Sequence, residues 1–306
     1  MRTMKLGKSE LQVPVIAVGC FRINAFTPKQ AETFFRTALE SGANFFDHAD
    51  AYSNGLCESL FADAVHMNST IREKMILQTK CGLIGHEEYD FSQKHILEAV
   101  DGSLKRLKTD YLDMLLLHRP DALVEPEDVA EAFDKLQQSG KVRNFGVSNQ
   151  KPMQIQLLQK YVRQPLVANQ LQLSIASANM ISNGCNVNML NDSAIDRDGS
   201  ILDFCRLNEI TIQAWSPFQY GFMEGVFLGS EKYPELNAVI DRLSKQYQVN
   251  NTTIAMAWLL RHPAKIQVVT GTTNTDRLLD CFKASEITLT RSEWYEIFRS
   301  AGNLLP

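Results

Sequence analysis

Short apolar runs recur along the chain, and segments with helical spacing of apolar residues lie between them. The runs are rich in β-branched and aromatic residues, which is typical of buried strands. The eight candidate strands are 15–20, 44–49, 75–80, 111–118, 143–148, 167–172, 210–215 and 266–271. The eight candidate helices are 28–41, 57–66, 92–107, 126–139, 151–162, 200–208, 235–247 and 274–284. This regular alternation predicts repeated βα units and a parallel sheet.

Eight βα units are the number that closes a barrel. We therefore predict an α/β fold, a (β/α)8 TIM barrel, with residues 1–306 forming a single domain and the active site at the C-terminal face of the strands. The sequence contains no G-x-G-x-x-G, P-loop, H-E-x-x-H or G-x-S-x-G motif. Their absence disfavours an open dinucleotide-binding sheet, an ATPase, a zinc protease and an α/β-hydrolase.

Two segments are longer than the usual connection between a strand and a helix. They span 174–200 and 218–233, and each follows a candidate strand. Loops that follow barrel strands lie on the face that holds the active site. We therefore interpret both segments as covers for substrate or cofactor. The alternative is that they are insertions without a functional role.

Composition excludes several classes of partner. The 306 residues are 44% hydrophobic and 22% charged, which fits an ordinary globular protein. The net charge is -4 and no cluster of basic residues is present, so the sequence does not indicate binding to nucleic acid or anionic lipid. No apolar run approaches the roughly 20 residues of a membrane span, and the N-terminus lacks the apolar region of a signal peptide. Six scattered cysteines without a C-x-x-C pair suggest reduced thiols, so we expect a cytoplasmic protein. We also expect a monomer or weak oligomer.

Polar side chains stand at the ends of three successive candidate strands. Asp47 ends the second strand and is followed by Tyr52, Lys80 ends the third strand, and His118 ends the fourth. Taken singly, such residues more often cap a turn, extend into solvent or form hydrogen bonds in a core. Together, at one end of a barrel, they indicate a site in which an ammonium lies beside a phenol.

These residues lie in motifs that resemble the aldo-keto reductase family. The segments FFDHADAY, LQTK and LLLH resemble its Asp, Tyr, Lys, His tetrad, and GKVRNFGVSN resembles its mid-chain signature. Further matches are NQ at 169–170, AWSPF from position 214 and GTTNTDR from position 271, so the resemblance covers nearly the whole chain. The segment DHADAYSNGLCE resembles a bacterial oxidoreductase branch of the family whose substrates are unsettled.

The resemblance implies an NADP-dependent oxidoreductase that reduces aldehydes or ketones to alcohols. Tyr52 would act as the general acid while NADPH supplies hydride to the carbonyl carbon. The Lys80 ammonium would lower the pKa of Tyr52, and Asp47 would hold Lys80 charged and oriented. His118 would bind and position the carbonyl oxygen. No metal takes part in this chemistry.

The resemblance also assigns cofactor and substrate contacts by position. Ser148, Asn149 and Gln170 match the groups that hold the carboxamide of NADP(H), Trp215 matches the aromatic residue that stacks on the nicotinamide, and Arg277 matches the arginine at the 2′-phosphate. The other assigned cofactor contacts are Cys20, Phe21, Asp47, Ser216, Pro217, Phe218, Gly271, Thr272 and Thr273. The assigned contacts of the small carbonyl substrate are Phe21, Arg22, Tyr52 and His118.

Two departures from the family pattern bear on the cofactor. Gly271 stands where many members have a lysine at the 2′-phosphate, and Cys281 stands where many have an asparagine at the adenine. We therefore expect a weaker preference for NADP over NAD than in those members. Cys20 and Cys81 are expected near the mouth of the barrel.

Two alternatives remain at the level of sequence. The first is a nucleotide-binding regulatory or redox-sensing subunit with little turnover, and the sequence favours the enzyme only because no partner-binding extension is evident. The second is a metal-dependent barrel hydrolase that uses His48 and Asp50. Such a site would lack partners, because the candidate helices or their flanking loops contain His66, His86, His95 and His262. Steroids, sugars, quinones and small aldehydes all remain possible substrates.

Overall fold

A computed structural model describes residues 1–85 and 87–306. Eight parallel strands close into a barrel, in the order β6-β7-β8-β1-β2-β3-β4-β5. The strands are β1 (Ile16–Gly19), β2 (Phe45–Asp47), β3 (Ile76–Cys81), β4 (Leu112–Leu117), β5 (Val142–Ser148), β6 (Leu166–Gln172), β7 (Thr211–Trp215) and β8 (Gln267–Thr270). The predicted barrel is confirmed, and each predicted strand end lies within two residues of its position in the structure.

Twelve helices surround the barrel in the described part of the chain. They are α1 (Pro28–Glu40), α2 (Leu56–Ala64), α3 (Ser69–Arg72), α4 (Gln93–Leu107), α5 (Pro126–Gln138), α6 (Pro152–Tyr161), α7 (Asn179–Cys185), α8 (Ile201–Leu207), α9 (Pro234–Tyr247), α10 (Asn251–Leu260), α11 (Thr275–Lys283) and α12 (Arg291–Ser300). The eight predicted helices correspond to α1, α2, α4, α5, α6, α8, α9 and α11. Helices α3, α7, α10 and α12 were not predicted.

Two of the missed helices have a physical explanation in the sequence. Every residue of α10 from Thr253 to Leu260 is buried, so the helix has no polar face and no amphipathic period to detect. Helix α7 lies in the segment 174–200, which was interpreted as a long loop covering the site. Its asparagine and glycine residues are poor helix formers and gave no helix signal. Met180 and Ile181 of α7 are buried in the core, and tertiary packing therefore outweighs the local preference.

A short N-terminal hairpin covers the N-terminal end of the barrel. Its strands Thr3–Lys5 and Gln12–Pro14 pair antiparallel, and Leu6 and Val13 pack against the first residues of several barrel strands. Gly7 has a positive φ of 51°, and a Cβ there would lie 2.2 Å from the carbonyl oxygen of Val167. The close approach requires glycine, and the packed hairpin leaves the opposite, C-terminal face for ligands.

Two further hairpins extend from that C-terminal face. Leu83–Ile84 pairs with Glu88–Tyr89, and Gln219–Tyr220 pairs with Gly225–Val226. The second hairpin occupies much of the segment 218–233, which was predicted to be a cover over the site. Among the described helices, none has the length and apolar character needed to cross a bilayer.

Candidate active site

The strand ends bring the four predicted tetrad residues together. Asp47 is the last residue of β2, Lys80 lies near the end of β3, and His118 directly follows β4. Tyr52 lies in the turn between β2 and α2, where its backbone N–H donates to the carbonyl of Ala49 at 3.1 Å. Parallel strands place these ends at one edge of the barrel, so residues far apart in sequence share one site.

The turn that carries Tyr52 depends on left-handed backbone. Ser53, Asn54 and Gly55 have φ values of 50°, 53° and 82°. At Gly55 a Cβ would also lie 2.5 Å from Nε of Arg106. Glycine therefore permits both the backbone conformation and the packing of Arg106, which together start α2 directly after Tyr52.

Lys80 is the centre of the polar cluster. Its fully buried ammonium donates to Asp47 at 2.8 and 2.9 Å, to the backbone carbonyl of His48 at 2.7 Å, and to Oη of Tyr52 at 3.0 Å. A buried ammonium requires this degree of compensation, because transfer out of water is costly. The contacts hold the ammonium against the phenol oxygen.

Asp47 is held by neutral amides as well as by Lys80. The side-chain nitrogen of Gln78 donates to Asp47 at 2.6 Å, and that of Gln170 donates at 3.1 Å. Gln213 exchanges hydrogen bonds with Gln78 at 2.9 and 3.0 Å. Gln78 and Gln213 were missed by sequence reasoning, although a glutamine inside each apolar run, MILQTK and ITIQAW, was the available signal.

The environment of Tyr52 corrects one expectation. Burial raises the pKa of Tyr52, the positive charge of Lys80 lowers it, and the negative charge of Asp47 raises it, with a net increase above the ordinary value. The predicted direction of the Lys80 effect is present, but the expected net decrease was wrong, because loss of solvent outweighs the ammonium. For Lys80, burial lowers the pKa, whereas Asp47 and Tyr52 raise it by more. Lys80 therefore remains charged.

His118 lies beside Tyr52, with 5.9 Å between the ring centroids. Burial, followed by the charges of Lys80 and Arg119, lowers the pKa of His118 well below its ordinary value. The imidazole is therefore neutral at neutral pH and retains one N–H donor. Its Nδ1 atom is buried without a hydrogen-bond partner among the described residues.

A cleft of about 870 Å³ opens above the tetrad and extends to Arg277. It brings most of the predicted contacts into one continuous wall. The predicted residues that line it are Phe21, Arg22, Asp47, Tyr52, His118, Ser148, Asn149, Gln170, Trp215, Ser216, Pro217, Phe218, Gly271, Thr272 and Arg277. The size and the mixed apolar and polar wall fit a ligand larger than a small carbonyl compound.

Lys80, Cys20 and Thr273 are the predicted site residues that do not line the cleft. Lys80 lies below the cleft and donates a hydrogen bond to Tyr52. Gly19 and Phe21 line the wall, whereas the intervening Cys20 is fully buried in the core. Successive residues in extended chain face opposite sides, which explains this alternation. Cys81 is also buried, so neither thiol is exposed in the cleft.

The three residues assigned to the carboxamide lie side by side. The hydroxyl of Ser148 donates to the backbone carbonyl of Gln170 at 2.9 Å, and the amide nitrogen of Asn149 donates to that hydroxyl at 2.8 Å. Nε1 of Trp215 donates to Oδ1 of Asn149 at 3.2 Å. This hydrogen bond links the indole of Trp215 to Asn149 and thus to the three residues assigned to the cofactor carboxamide.

The wall also contains residues that sequence reasoning missed. Asn251 and Thr252 begin α10 and lie near Arg277, and Arg119 lies next to His118. The other missed lining residues are Gly19, Ala51, Leu83, Gly85, Tyr89 and Val269. The segment 218–233, which was predicted to cover the site, also contributes Gln219, Phe222, Met223, Val226, Leu228 and Gly229. Arg119 follows directly after the strand-end histidine, and its position was the available signal.

A second buried polar cluster lies behind the tetrad. Glu58 is fully buried. Its carboxylate accepts hydrogen bonds from Nε of Arg106 at 2.7 Å and from the hydroxyl of Thr79 at 2.6 Å. Burial and the charge of Lys80 lower the pKa of His48 to about 3. Burial and the charge of Glu58 raise the pKa of Asp50 to about 7, against weaker opposing effects of the Ala51 backbone, Arg106 and Lys80. Within residues 1–85 and 87–306, no three acidic, histidine or cysteine side chains form a group that could hold a metal.

The raised pKa of Asp50 predicts a pH-dependent stability. The folded protein binds this proton more tightly than the unfolded chain, so the contribution of Asp50 to stability falls as pH rises from about 4 to about 7. We expect Asp50→Asn to stabilise the protein by about 2 kcal/mol more at pH 8 than at pH 5. Urea denaturation at both pH values measures this difference. The exposed Asp192→Asn serves as the control, and an equal effect of Asp50→Asn at both pH values would contradict the prediction.

Comparison with known proteins identifies the family. The model of the Aldo/keto reductase family matches residues 15–300. The chain belongs to the aldo/keto reductase family. An uncharacterized oxidoreductase of Bacillus subtilis, YcsN, is 35% identical over 94% of both chains. A 6-dehydroglucose reductase of Agrobacterium fabrum is 31% identical over 95% of both chains.

A solved structure supports the fold of this aldo/keto reductase. The aldo-keto reductase of Klebsiella pneumoniae, crystallised with NADPH, superposes with a TM-score of 0.78 at 22% identity, covering 100% of this chain and 96% of that chain. The resemblance to the family and the predicted oxidoreductase class are thus confirmed.

Proposed function

We propose that this aldo/keto reductase reduces an aldehyde or ketone to an alcohol with NADPH, and that Tyr52 is the general acid. The observation that carries the proposal is the 3.0 Å hydrogen bond from the buried Lys80 ammonium to the Tyr52 oxygen, at the floor of a cleft that continues to Arg277. The cleft has room for an extended ligand beside a small substrate, and its floor provides a proton donor.

The roles of the tetrad follow from the contacts. Since Lys80 donates to Oη of Tyr52, the phenol hydrogen is available for an acceptor in the cleft. When bound, NADPH supplies the hydride for the carbonyl carbon. The Tyr52 proton passes to the carbonyl oxygen, and the Lys80 ammonium stabilises the phenolate that remains. Asp47 keeps the ammonium charged and in place.

His118 has a separate role in this proposal. Its neutral ring lies against the edge of Tyr52 and contributes to the cleft wall. A neutral imidazole N–H can donate to the carbonyl oxygen without competing as a strong acid. His118 thus orients the oxygen toward Tyr52.

The residues present in the cleft fit NADP(H). Trp215 offers an aromatic surface, and Ser148, Asn149 and Gln170 offer amide and hydroxyl groups for the carboxamide. Arg277 lies at the far end with Asn251 and Thr252, and no ion pair of Arg277 is present in the described residues. An uncommitted guanidinium suits a phosphate monoester because it donates in a planar fork.

The proposal is tested by binding followed by turnover. Protein is titrated into NADPH while its fluorescence is followed, and NADPH oxidation is then monitored by absorbance with a panel of aldehydes and diketones. We expect binding and carbonyl-dependent oxidation. An absence of binding would overturn the proposal, whereas binding without turnover on any carbonyl would favour a nucleotide-binding regulatory or redox-sensing subunit.

The role of Arg277 predicts a difference between the two nicotinamide cofactors. We expect Arg277→Ala to weaken NADPH binding by about 30-fold and NADH binding by less than about threefold, because a charge-assisted hydrogen bond contributes roughly 1.5–3 kcal/mol. Fluorescence titration with both cofactors measures the difference. Arg163→Ala, an exposed arginine whose side chain is 82% accessible, is the control. Equal losses of affinity for NADPH and NADH would contradict the assignment of Arg277 to the 2′-phosphate.

A further inference from the structure

Arg119 occupies the wall of the cleft next to the tetrad. It directly follows His118, and its guanidinium carbon lies 5.5 Å from the ring centroid of Trp215 and 5.9 Å from that of Phe222. Guanidinium groups stack favourably on aromatic rings because they are planar and weakly hydrated. The two rings hold the Arg119 head group at the wall without using its N–H donors.

Arg119 differs from three other buried or partly buried basic side chains, Arg72, Lys80 and Arg106. Arg72 pairs with Asp113 at 2.7 Å, Lys80 with Asp47 at 2.8 Å, and Arg106 with Glu58 at 2.7 Å. Arg119 has no carboxylate within ion-pair distance in residues 1–85 and 87–306, although it is half-buried. Burial is the largest influence on its pKa and lowers it. The guanidinium is thus partly desolvated without the compensation that the other cations have.

The nearest acidic residue in sequence is already committed elsewhere. Oδ2 of Asp121 accepts the backbone N–H of Phe91 at 2.9 Å, and Oδ1 accepts that of Leu123 at 2.8 Å. Both oxygens shape the loop after β4. A small rearrangement of Asp121 toward Arg119 would therefore leave two backbone donors without partners.

The cleft as a whole is positively charged in an acidic protein. Its lining includes Arg22, Arg119 and Arg277, and among the described residues Asp47, which Lys80 neutralises, is the only carboxylate in it. The chain carries a net charge of -4. Arg277 lies at the end remote from the tetrad, so Arg22 and Arg119 supply the positive charge at the substrate end. Such a field concentrates anionic substrates.

We propose that the carbonyl substrate carries an oxyanion, a carboxylate or a phosphate, and that Arg119 binds it while Tyr52 and His118 engage the carbonyl oxygen. This inference rests on the proposed carbonyl reduction and names the substrate class of the same cleft. Arg119 donates two N–H groups to the oxyanion, and Trp215 and Phe222 keep the guanidinium in place. Arg22, which is exposed on the rim, adds a weaker attraction because solvent screens it.

The test compares matched pairs of substrates that differ in charge. The carboxylate pair is 4-carboxybenzaldehyde and methyl 4-formylbenzoate, and the phosphate pair is glyceraldehyde 3-phosphate and glyceraldehyde. For each pair, kcat/KM is measured with saturating NADPH, and the ratio of the anionic to the neutral compound is formed. We expect a ratio of about 30 or more in at least one pair, as one charge-assisted interaction provides. The pair that shows the preference identifies the oxyanion.

Variants then assign the preference to Arg119. Both Arg119→Met and Arg119→Gln are expected to reduce the ratio by about 10-fold or more, and Arg22→Met by about threefold or less. The exposed Arg163→Met is the control and is expected to leave the ratio unchanged. Two substitutions of Arg119 are used because either one alone could affect folding, which thermal denaturation monitors.

The outcomes separate this inference from the proposed function. No NADPH oxidation with any of the four compounds or with the wider carbonyl panel would count against the proposed function itself. If both members of each pair are turned over and the kcat/KM ratios are near one, the proposal that the substrate is anionic would be overturned. A high ratio that survives in both Arg119 variants, or that falls most in Arg22→Met, would overturn the assignment to Arg119.

Discussion

Replacement of Tyr52 by phenylalanine is expected to reduce carbonyl reduction by at least about 1,000-fold, which lies in the range of a lost general acid. The substitution removes one oxygen, and the ring can keep its edge contacts with Phe21 at 5.0 Å and His118 at 5.9 Å. Lys80 retains Asp47 and the His48 carbonyl as acceptors. The loss therefore falls on the proton donor and not on the surrounding site.

The measurement separates chemistry from binding. Single-turnover oxidation of NADPH with an aldehyde gives the chemical rate, and fluorescence titration gives the affinity for NADPH. We expect Tyr52→Phe to leave that affinity within about twofold, because a group that acts in the transition state affects kcat more than binding. Tyr89→Phe is a matched control, since Tyr89 also lines the cleft but lies outside the tetrad. Normal turnover by Tyr52→Phe would falsify the assignment.

Replacement of Lys80 by methionine is expected to lower both stability and activity. The ammonium and the Asp47 carboxylate are 0% and 2% exposed, and the substitution would leave the carboxylate buried with amide donors only. Removal of one partner of a buried ion pair costs about 3–5 kcal/mol. We expect a loss of about 3 kcal/mol in the free energy of unfolding, measured by urea denaturation, because Gln78 and Gln170 still donate to Asp47.

The double variant distinguishes the structural from the chemical part of this effect. Lys80→Met combined with Asp47→Asn removes both charges, so much of the lost stability should return. Activity should not return, since no ammonium remains to stabilise the Tyr52 phenolate. We expect kcat to stay at least about 100-fold below that of the unmodified protein in both variants. Recovery of activity together with stability would show that Lys80 acts only as a structural cation.

The barrel was predictable because its signals are local. Each strand is a short apolar run and most helices have one apolar face, so sequence pattern defines them within two residues. Helix α10 was missed because it is buried on all sides, and α7 because packing of its apolar residues outweighs an asparagine-rich composition. Neither burial is visible before the chain is folded.

The candidate site was likewise predictable only in part from the sequence. Asp47, Lys80 and His118 were found because a polar residue that ends an apolar strand stands out in sequence. Gln78 also interrupts such a run, but only the hydrogen bond to Asp47 reveals its part in the site. The position of Arg119 directly after His118 is visible in the sequence, but only its contacts with Trp215 and Phe222 and its lack of a carboxylate partner in the described chain reveal its part in the cleft.

The sequence by itself determined the order of the βα units, the family resemblance and the four tetrad residues at the C-terminal end of the barrel. Only the tertiary structure decided the balance of charges there. Burial raises the pKa of Tyr52 by more than Lys80 lowers it, and closure of the barrel brings Arg119 against a ring that lies 96 residues away in sequence, at Trp215. Loss of solvent and contacts between distant segments exist only in the folded chain, because both depend on how the strands close.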